Sequence, residues 1–228
     1  MPDLKERLIV ALDVDSLKQA EGLVSLLYPT VRIFKVGSQL FTACGPQAVR
    51  MIAEKGARVF LDLKFYDIPH TVFSATSAAA GLPVFMLTVH ISGGRKMLEE
   101  AVAGASKRAK ELNIQMPFII GVTRLTSQES AENLEKDVLA AAQEAKAAGL
   151  DGVVCSVGEA LMIRRELGKD FMIVTPGIRP KDYPTDDQSR VATPEEAVKA
   201  GADFIVVGRP ILKADNPLAA AEKILAKD

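Results

Sequence analysis

The chain has 228 residues, 48% of them hydrophobic and 25% charged, with a formal net charge of −1 and a pI near 6.2. Without a basic excess or an acidic tail, the composition argues against a nucleic-acid surface and against disorder, so any anion site has to be local, built from a few placed cations and backbone amides. Cys44 and Cys155 lie in apolar stretches and suggest a reducing compartment, residues 1–7 hold no apolar signal core, and no apolar run nears the roughly 20 residues that span a bilayer, so a soluble cytoplasmic protein with no membrane partner is expected.

Short β-branched, apolar runs recur at 8–12, 32–36, 58–63, 84–90, 117–122, 152–155, 171–174 and 203–207. Continuous apolar runs of this length suit parallel strands buried on both faces. Helical patterns separate them. Ser16-x-x-Gln19 can form a capping box, and Leu17, Ala20, Val24 and Leu27 then share one face. Leu134, Val138, Ala142, Ala145 and Ala148 repeat the pattern. Thr193-Pro194-Glu195-Glu196 places a cap, a first-turn proline and a reciprocal Glu in order. Asp215-x-Pro217 opens a last helix through Leu218, Ala221 and Leu225. Eight alternations of strand and helix predict an α/β fold, a single-domain (β/α)8 TIM barrel over residues 1–228. The competing fold, an open doubly wound sheet, usually carries a glycine-rich turn after its first strand, whereas Ala11-Leu12-Asp13-Val14-Asp15-Ser16 has no glycine.

In such a barrel, chemistry collects where strands end. The first strand leads to Asp13 and the second delivers Lys35. The third delivers Asp62-Leu63-Lys64-Phe65-Tyr66-Asp67, and the fourth ends at His90. Asp62 and Lys64, two apart on a strand, point to the same face. An inward Asp and Lys must pair or suffer heavy desolvation, and Lys35 on the adjacent strand is the natural second cation. Asp67 lies past the strand and can return only from a loop. A purely structural ion-pair network closing the barrel top is the alternative reading.

Phosphate sites in these barrels often use the loops after the seventh and eighth strands. Gly208-Arg209 follows the eighth: glycine lets the backbone approach an anion and arginine can grip two of its oxygens. The long polar segment 179–190 after the seventh carries Arg179, Gln188 and Arg190, of which Arg190 reads as structural.

The motif Asp62-Leu63-Lys64-Phe65-Tyr66-Asp67-Ile68-Pro69 closely resembles the signature of the orotidine 5′-monophosphate decarboxylase family, bacterial type. Ala11-Leu12-Asp13, Phe34-Lys35-Val36-Gly37, Val89-His90-x-Ser92-Gly93-Gly94, Val122-Thr123-x-Leu125-Thr126-Ser127, Asp151-Gly152-Val153-Val154-Cys155-Ser156, Thr175-Pro176-Gly177-Ile178-Arg179, Asp187-Gln188-x-Arg190-Val191 and Val207-Gly208-Arg209-Pro210-Ile211 resemble it in the same order, almost end to end. Tyr66, His70 and the run Gly81-Leu82-Pro83-Val84-Phe85 depart from the family pattern, and none of them touches the proposed charge cluster.

The resemblance implies decarboxylation of orotidine 5′-monophosphate to uridine 5′-monophosphate without metal or organic cofactor. It implies that Asp13 and Lys35 hold the ribose hydroxyls, that Asp62 sits beside the substrate carboxylate and that Lys64 protonates C6. Asp67 and Thr71 would cross a homodimer interface into the partner's site. Thr126 would contact the pyrimidine amide, and Arg179, Gln188, Gly208 and Arg209 would bind phosphate. Two rivals remain: a Mg²⁺-dependent sugar-phosphate decarboxylase or aldolase of the same superfamily, disfavoured by Lys35 where an acidic metal ligand is needed, and a non-catalytic nucleotide-binding barrel. His90 reads as structural, His70 as a helix-start or interface residue, Cys155 as core, and Met51, Met86, Met97, Met116 and Met172 as apolar filler.

Overall fold

A computed structural model describes residues 4–123, 134–180 and 191–226. The strands are β1 (Leu8–Ala11), β2 (Ile33–Gly37), β3 (Arg58–Phe65), β4 (Met86–His90), β5 (Phe118–Val122), β6 (Gly152–Val154), β7 (Met172–Thr175) and β8 (Phe204–Val207). They pair in parallel in sequence order, and β1 closes on β8 through Leu8↔Ile205 and Val10↔Val207. Each expected strand is present, with ends shifted by one or two residues. Among the described residues the helices are α1 (Leu17–Leu27), α2 (Ser38–Cys44), α3 (Pro46–Glu54), α4 (Pro69–Ala80), α5 (Gly94–Leu112), α6 (Leu134–Ala147), α7 (Val157–Leu167), α8 (Pro194–Lys199), α9 (Arg209–Leu212) and α10 (Pro217–Leu225). None of them is long and apolar enough to cross a membrane.

Alternation along the strands sorts side chains into two cores. Ile9, Ala11, Ile33, Phe60, Met86, Ile120, Val174 and Val206 fill the barrel interior. Leu8, Val10, Phe34, Val59, Leu61, Leu87 and Val89 face outward against the helices. Both faces are apolar, which is why these runs read as continuous rather than alternating. Ala20, Val24 and Leu27 seat α1, and Leu134, Val138, Ala142 and Ala145 seat α6, as their spacing predicts. Cys155 is buried in the outer core.

Capping follows the expected chemistry, with two differences. Thr193 and Glu196 form the reciprocal box that starts α8. At α1 the Ser16 hydroxyl caps Gln19 N–H, but the Gln19 carboxamide takes the N–H of Asp15 rather than that of Ser16. At α10 the cap is Asn216, whose Oδ1 accepts from Ala219 N–H at 3.1 Å, and not Asp215. A proline at the first helical position needs its cap immediately before it.

The N-terminal end of the barrel is sealed. Phe85 packs edge-on against Phe118 and Phe204, with ring centroids 5.4 and 6.0 Å apart. The guanidinium of Arg58 lies 4.6 Å from the Phe85 ring centre, and Glu6 pairs with both Arg58 and Arg32. A cleft lies at the opposite end, where the strands terminate.

Candidate active site

The C-terminal end of β3 departs from regular strand geometry. Leu61 pairs with Leu87 and Phe65 with Val89, so β3 advances four residues while β4 advances two. The extra length is a bulge holding Asp62, Leu63 and Lys64. Lys64 has φ +52°, a left-handed backbone that costs a non-glycine residue about 1–2 kcal/mol. Nζ of Lys64 lies 2.8 Å from each oxygen of Asp62. Regular alternation predicts that these two side chains share a face. They do meet, within a bulge that regular alternation does not contain.

The other two charges of the cluster arrive from neighbouring strands. Nζ of Lys35, on β2, lies 3.5 Å from Asp62 Oδ2 and 3.4 Å from Asp13 Oδ1, two residues past β1. The charges therefore alternate in the order Asp13, Lys35, Asp62, Lys64. Asp62 is 8% exposed. Its burial pushes the carboxyl pKa up, but the charges of Lys35 and Lys64 and the hydrogen bonds from Lys64 and Thr88 outweigh this and hold it below the usual carboxylate range. The same field reaches His90 at the end of β4. Burial first, then the nearby Lys64 ammonium, lower the imidazole pKa, against the pull of Asp62. The His90 ring packs against Tyr66 at 5.7 Å.

Beside the cluster lies a cleft of about 230 Å³. Asp13, Lys35, Asp62 and Lys64 line it together with Gly177, Ile178, Arg179, Gly208 and Arg209. Arg179 is buried, and its backbone N–H donates to Ala192 O at 2.9 Å, tying the strand end to the segment before α8. Gly208 caps α9, and Arg209 is its first residue. Four opposed charges and two arginines thus line a single cleft.

Most of the expected site residues meet here, and some do not. Asp67 is exposed, and its Oδ1 accepts from Ile68 N–H at 2.6 Å. Within one chain it does not join the four charges. Thr71 is exposed in the first turn of α4. His70, next to it, stacks on Phe73. Thr126, Gln188 and Arg190 lie outside the described residues.

Two residues of the site escaped sequence reasoning. Thr88 is buried on β4, accepts Lys64 N–H at 2.9 Å and donates to Asp62 Oδ1 at 3.0 Å. A threonine inside an apolar run reads only as a strand former. Its even spacing from Met86 and His90 was the available signal for an inward side chain. Gly37 is the second: a Cβ there would stand 2.9 Å from Lys35 Nζ.

Residues 6–224 match the model of the orotidine 5′-phosphate decarboxylase / HUMPS family. The chain belongs to this family. It is 48% identical to the orotidine 5′-phosphate decarboxylase of Moorella thermoacetica, over 98% of this chain and 92% of that protein. It is 47% identical to that of Saccharophagus degradans, over 97% and 94% respectively. The crystal structure of orotidine 5′-phosphate decarboxylase from Lactobacillus acidophilus superposes with a TM-score of 0.83 at 37% identity, covering 96% of each chain. That from Pyrococcus horikoshii gives 0.79 at 26% identity, covering 96% of this chain and 97% of its own. The match spans all eight strands, so the charge cluster, Arg179 and Arg209 all fall within the family's extent.

Proposed function

We propose that this chain decarboxylates orotidine 5′-monophosphate to uridine 5′-monophosphate, the last step of de novo pyrimidine nucleotide synthesis, in the cytoplasm. The observation that carries the proposal is the Asp62–Lys64 pair in a cleft that Arg179 and Arg209 also line. An anionic phosphate suits the arginines, and a reacting carbon suits the ammonium.

The bond from C6 to the carboxyl carbon breaks, CO₂ leaves, and the electron pair stays on C6 in the plane of the ring. The π system cannot delocalise that pair. Stabilisation has to be electrostatic, and the Lys64 ammonium supplies it before donating its proton to C6. Water then reprotonates the Lys64 amine. Asp62 places negative charge against the substrate carboxylate and holds the Lys64 amine in place. Asp13 and Lys35 hold the ribose hydroxyls and brace Asp62. Arg179, Gln188, Gly208 and Arg209 grip the phosphate, and Thr126 meets the pyrimidine amide. Binding energy from the distant phosphate then holds the reacting carbon at the amine.

The position of Asp67 fits a homodimer in which Asp67 and Thr71 complete the partner's site. Tyr66 and Ile68, either side of Asp67, are 62% and 66% exposed, an apolar surface that association would cover. The Lys35 ammonium lies between Asp13 and Asp62, where a divalent cation would otherwise find its ligands. That favours the nucleotide reaction over a Mg²⁺-dependent sugar-phosphate reaction.

The test is direct. Purified protein mixed with orotidine 5′-monophosphate should lose the substrate's ultraviolet absorbance and yield uridine 5′-monophosphate. Lys64→Ala should lower kcat by at least about a hundredfold while uridine 5′-monophosphate still binds. No absorbance change with the wild type, or retained turnover in Lys64→Ala, overturns the proposal.

A further inference from the structure

We infer that Thr88 is a positioning residue for the reaction, its hydroxyl fixing both the backbone and the carboxylate that aim the Lys64 amine. The inference rests on the reading of Lys64 as the proton donor.

Thr88 is fully buried on β4, opposite the bulge. Its single hydroxyl is used twice. It accepts from the Lys64 N–H at 2.9 Å, and it gives its proton to Asp62 Oδ1 at 3.0 Å. The register shift interrupts the β3–β4 ladder between Leu61 and Phe65. Thr88 supplies a hydrogen-bond acceptor in that gap, where a buried N–H left without one would be costly. Lys64 is held there at φ +52°, a conformation that persists only when the surroundings impose it.

The second bond fixes the carboxylate. Asp62 Oδ1 receives Thr88 and Lys64, while Oδ2 receives Lys64 and faces Lys35. With Oδ1 pinned by Thr88, the carboxylate cannot rotate about its own axis without losing a partner. A pinned carboxylate presents both oxygens to the Lys64 amine and so fixes where that amine points. Thr88 touches no reacting atom in this scheme. It acts through Asp62 and Lys64.

Valine has nearly the shape of threonine but neither donates nor accepts, while serine keeps the hydroxyl. Thr88→Val should lower kcat about 10- to 100-fold, the loss expected when a catalytic group is misplaced. KM and the affinity for uridine 5′-monophosphate should change less than about threefold, because the Thr88 hydroxyl engages Lys64 and Asp62 and not the residues proposed to grip the phosphate. The acid limb of the kcat/KM profile should move to higher pH. Asp62 is faced by Lys64 from its own strand, Lys35 from β2, and Thr88 and His90 from β4, and only the Thr88 bond that favours its ionised form is removed. Thr88→Ser should return both kcat and the acid limb towards wild type.

If Thr88→Val and Thr88→Ser both lose thermal stability while kcat and the acid limb stay at wild-type values, Thr88 is structural only and the inference is overturned. If the valine protein does not accumulate, Thr88→Cys, with a weaker donor and acceptor, should lose about tenfold in kcat; wild-type kcat in that variant also overturns it. Wild type and Lys64→Ala in the same assay separate the two claims. An inactive wild type or an active Lys64→Ala defeats the decarboxylase reading itself, whereas normal behaviour of both with an unimpaired Thr88→Val defeats only the role of Thr88.

Discussion

A Cβ on Gly37 would stand 2.9 Å from the Nζ of Lys35. The clash falls on the tip of a flexible side chain, and the Gly37 backbone, at φ −90°, accepts any residue. Gly37→Ala should therefore fold with a stability change under about 1 kcal/mol, while the Lys35 amine moves off Asp13 and Asp62. We expect kcat/KM to fall about tenfold, or about 1.4 kcal/mol, with little change in the unfolding midpoint. Steady-state kinetics beside urea unfolding check both halves. Full activity would mean that the placement of Lys35 does not matter.

The backbone of Lys64 makes a separate prediction about strain. At φ +52° alanine is strained and glycine is not. Lys64→Gly and Lys64→Ala both remove the amine, so their difference isolates the backbone. The glycine protein should be more stable by up to about 1 kcal/mol, although both are inactive. Equal unfolding midpoints would show that the left-handed conformation is relaxed elsewhere.

Arg209 begins α9 and lines the same cleft as Lys64. Arg209→Ala should lower kcat/KM by about 2–5 kcal/mol, the cost of truncating one partner of a desolvated charged contact. The loss should be specific to the phosphate. Binding of uridine 5′-monophosphate should weaken severely, and binding of uridine should barely change. Calorimetric titration with the two ligands decides the matter, and equal weakening of both removes the phosphate role.

Asp62 ties stability to pH. Its pKa in the folded protein is depressed below the unfolded value of about 3.9, so the folded state binds this proton less tightly. The resulting stability is present above the unfolded value and is lost as pH falls through the folded one. Asp62→Asn deletes this dependence. Its stability should be flatter below about pH 4, and at neutral pH it should be lower by about 2 kcal/mol because Lys35 and Lys64 lose their shared counter-charge. Urea midpoints from pH 3 to 7 provide the measurement, and parallel curves for the two proteins contradict the assignment.

Asp67 faces solvent in the single chain, its carboxylate engaged with the next backbone amide. If the site is completed by a second copy, Asp67→Asn and Lys64→Ala proteins are each inactive, but mixed dimers hold one site with both native residues. Unfolding and refolding the two together should restore up to about a quarter of wild-type turnover, since half the chains enter mixed dimers and each such dimer has one intact site. Absence of recovery, with mixed dimers demonstrated, argues that each chain works alone.

The order of elements was legible from the amino acids because a parallel barrel buries both faces of every strand. That requirement writes eight apolar runs into the chain, and helix caps such as Thr193–Glu196 punctuate them by purely local hydrogen bonding. The identities of the charged residues at the strand ends were legible for the same reason, since charge stands out at the edge of an apolar run. Tertiary structure alone settled how those charges engage. Asp62 and Lys64 meet inside a bulge defined by pairing with β4, Thr88 becomes a polar hinge by lying opposite it, and Gly37 matters because Lys35 passes over it. Each of these depends on atoms brought together from distant parts of the chain, and sequence periodicity records which way a residue faces but not what waits for it there.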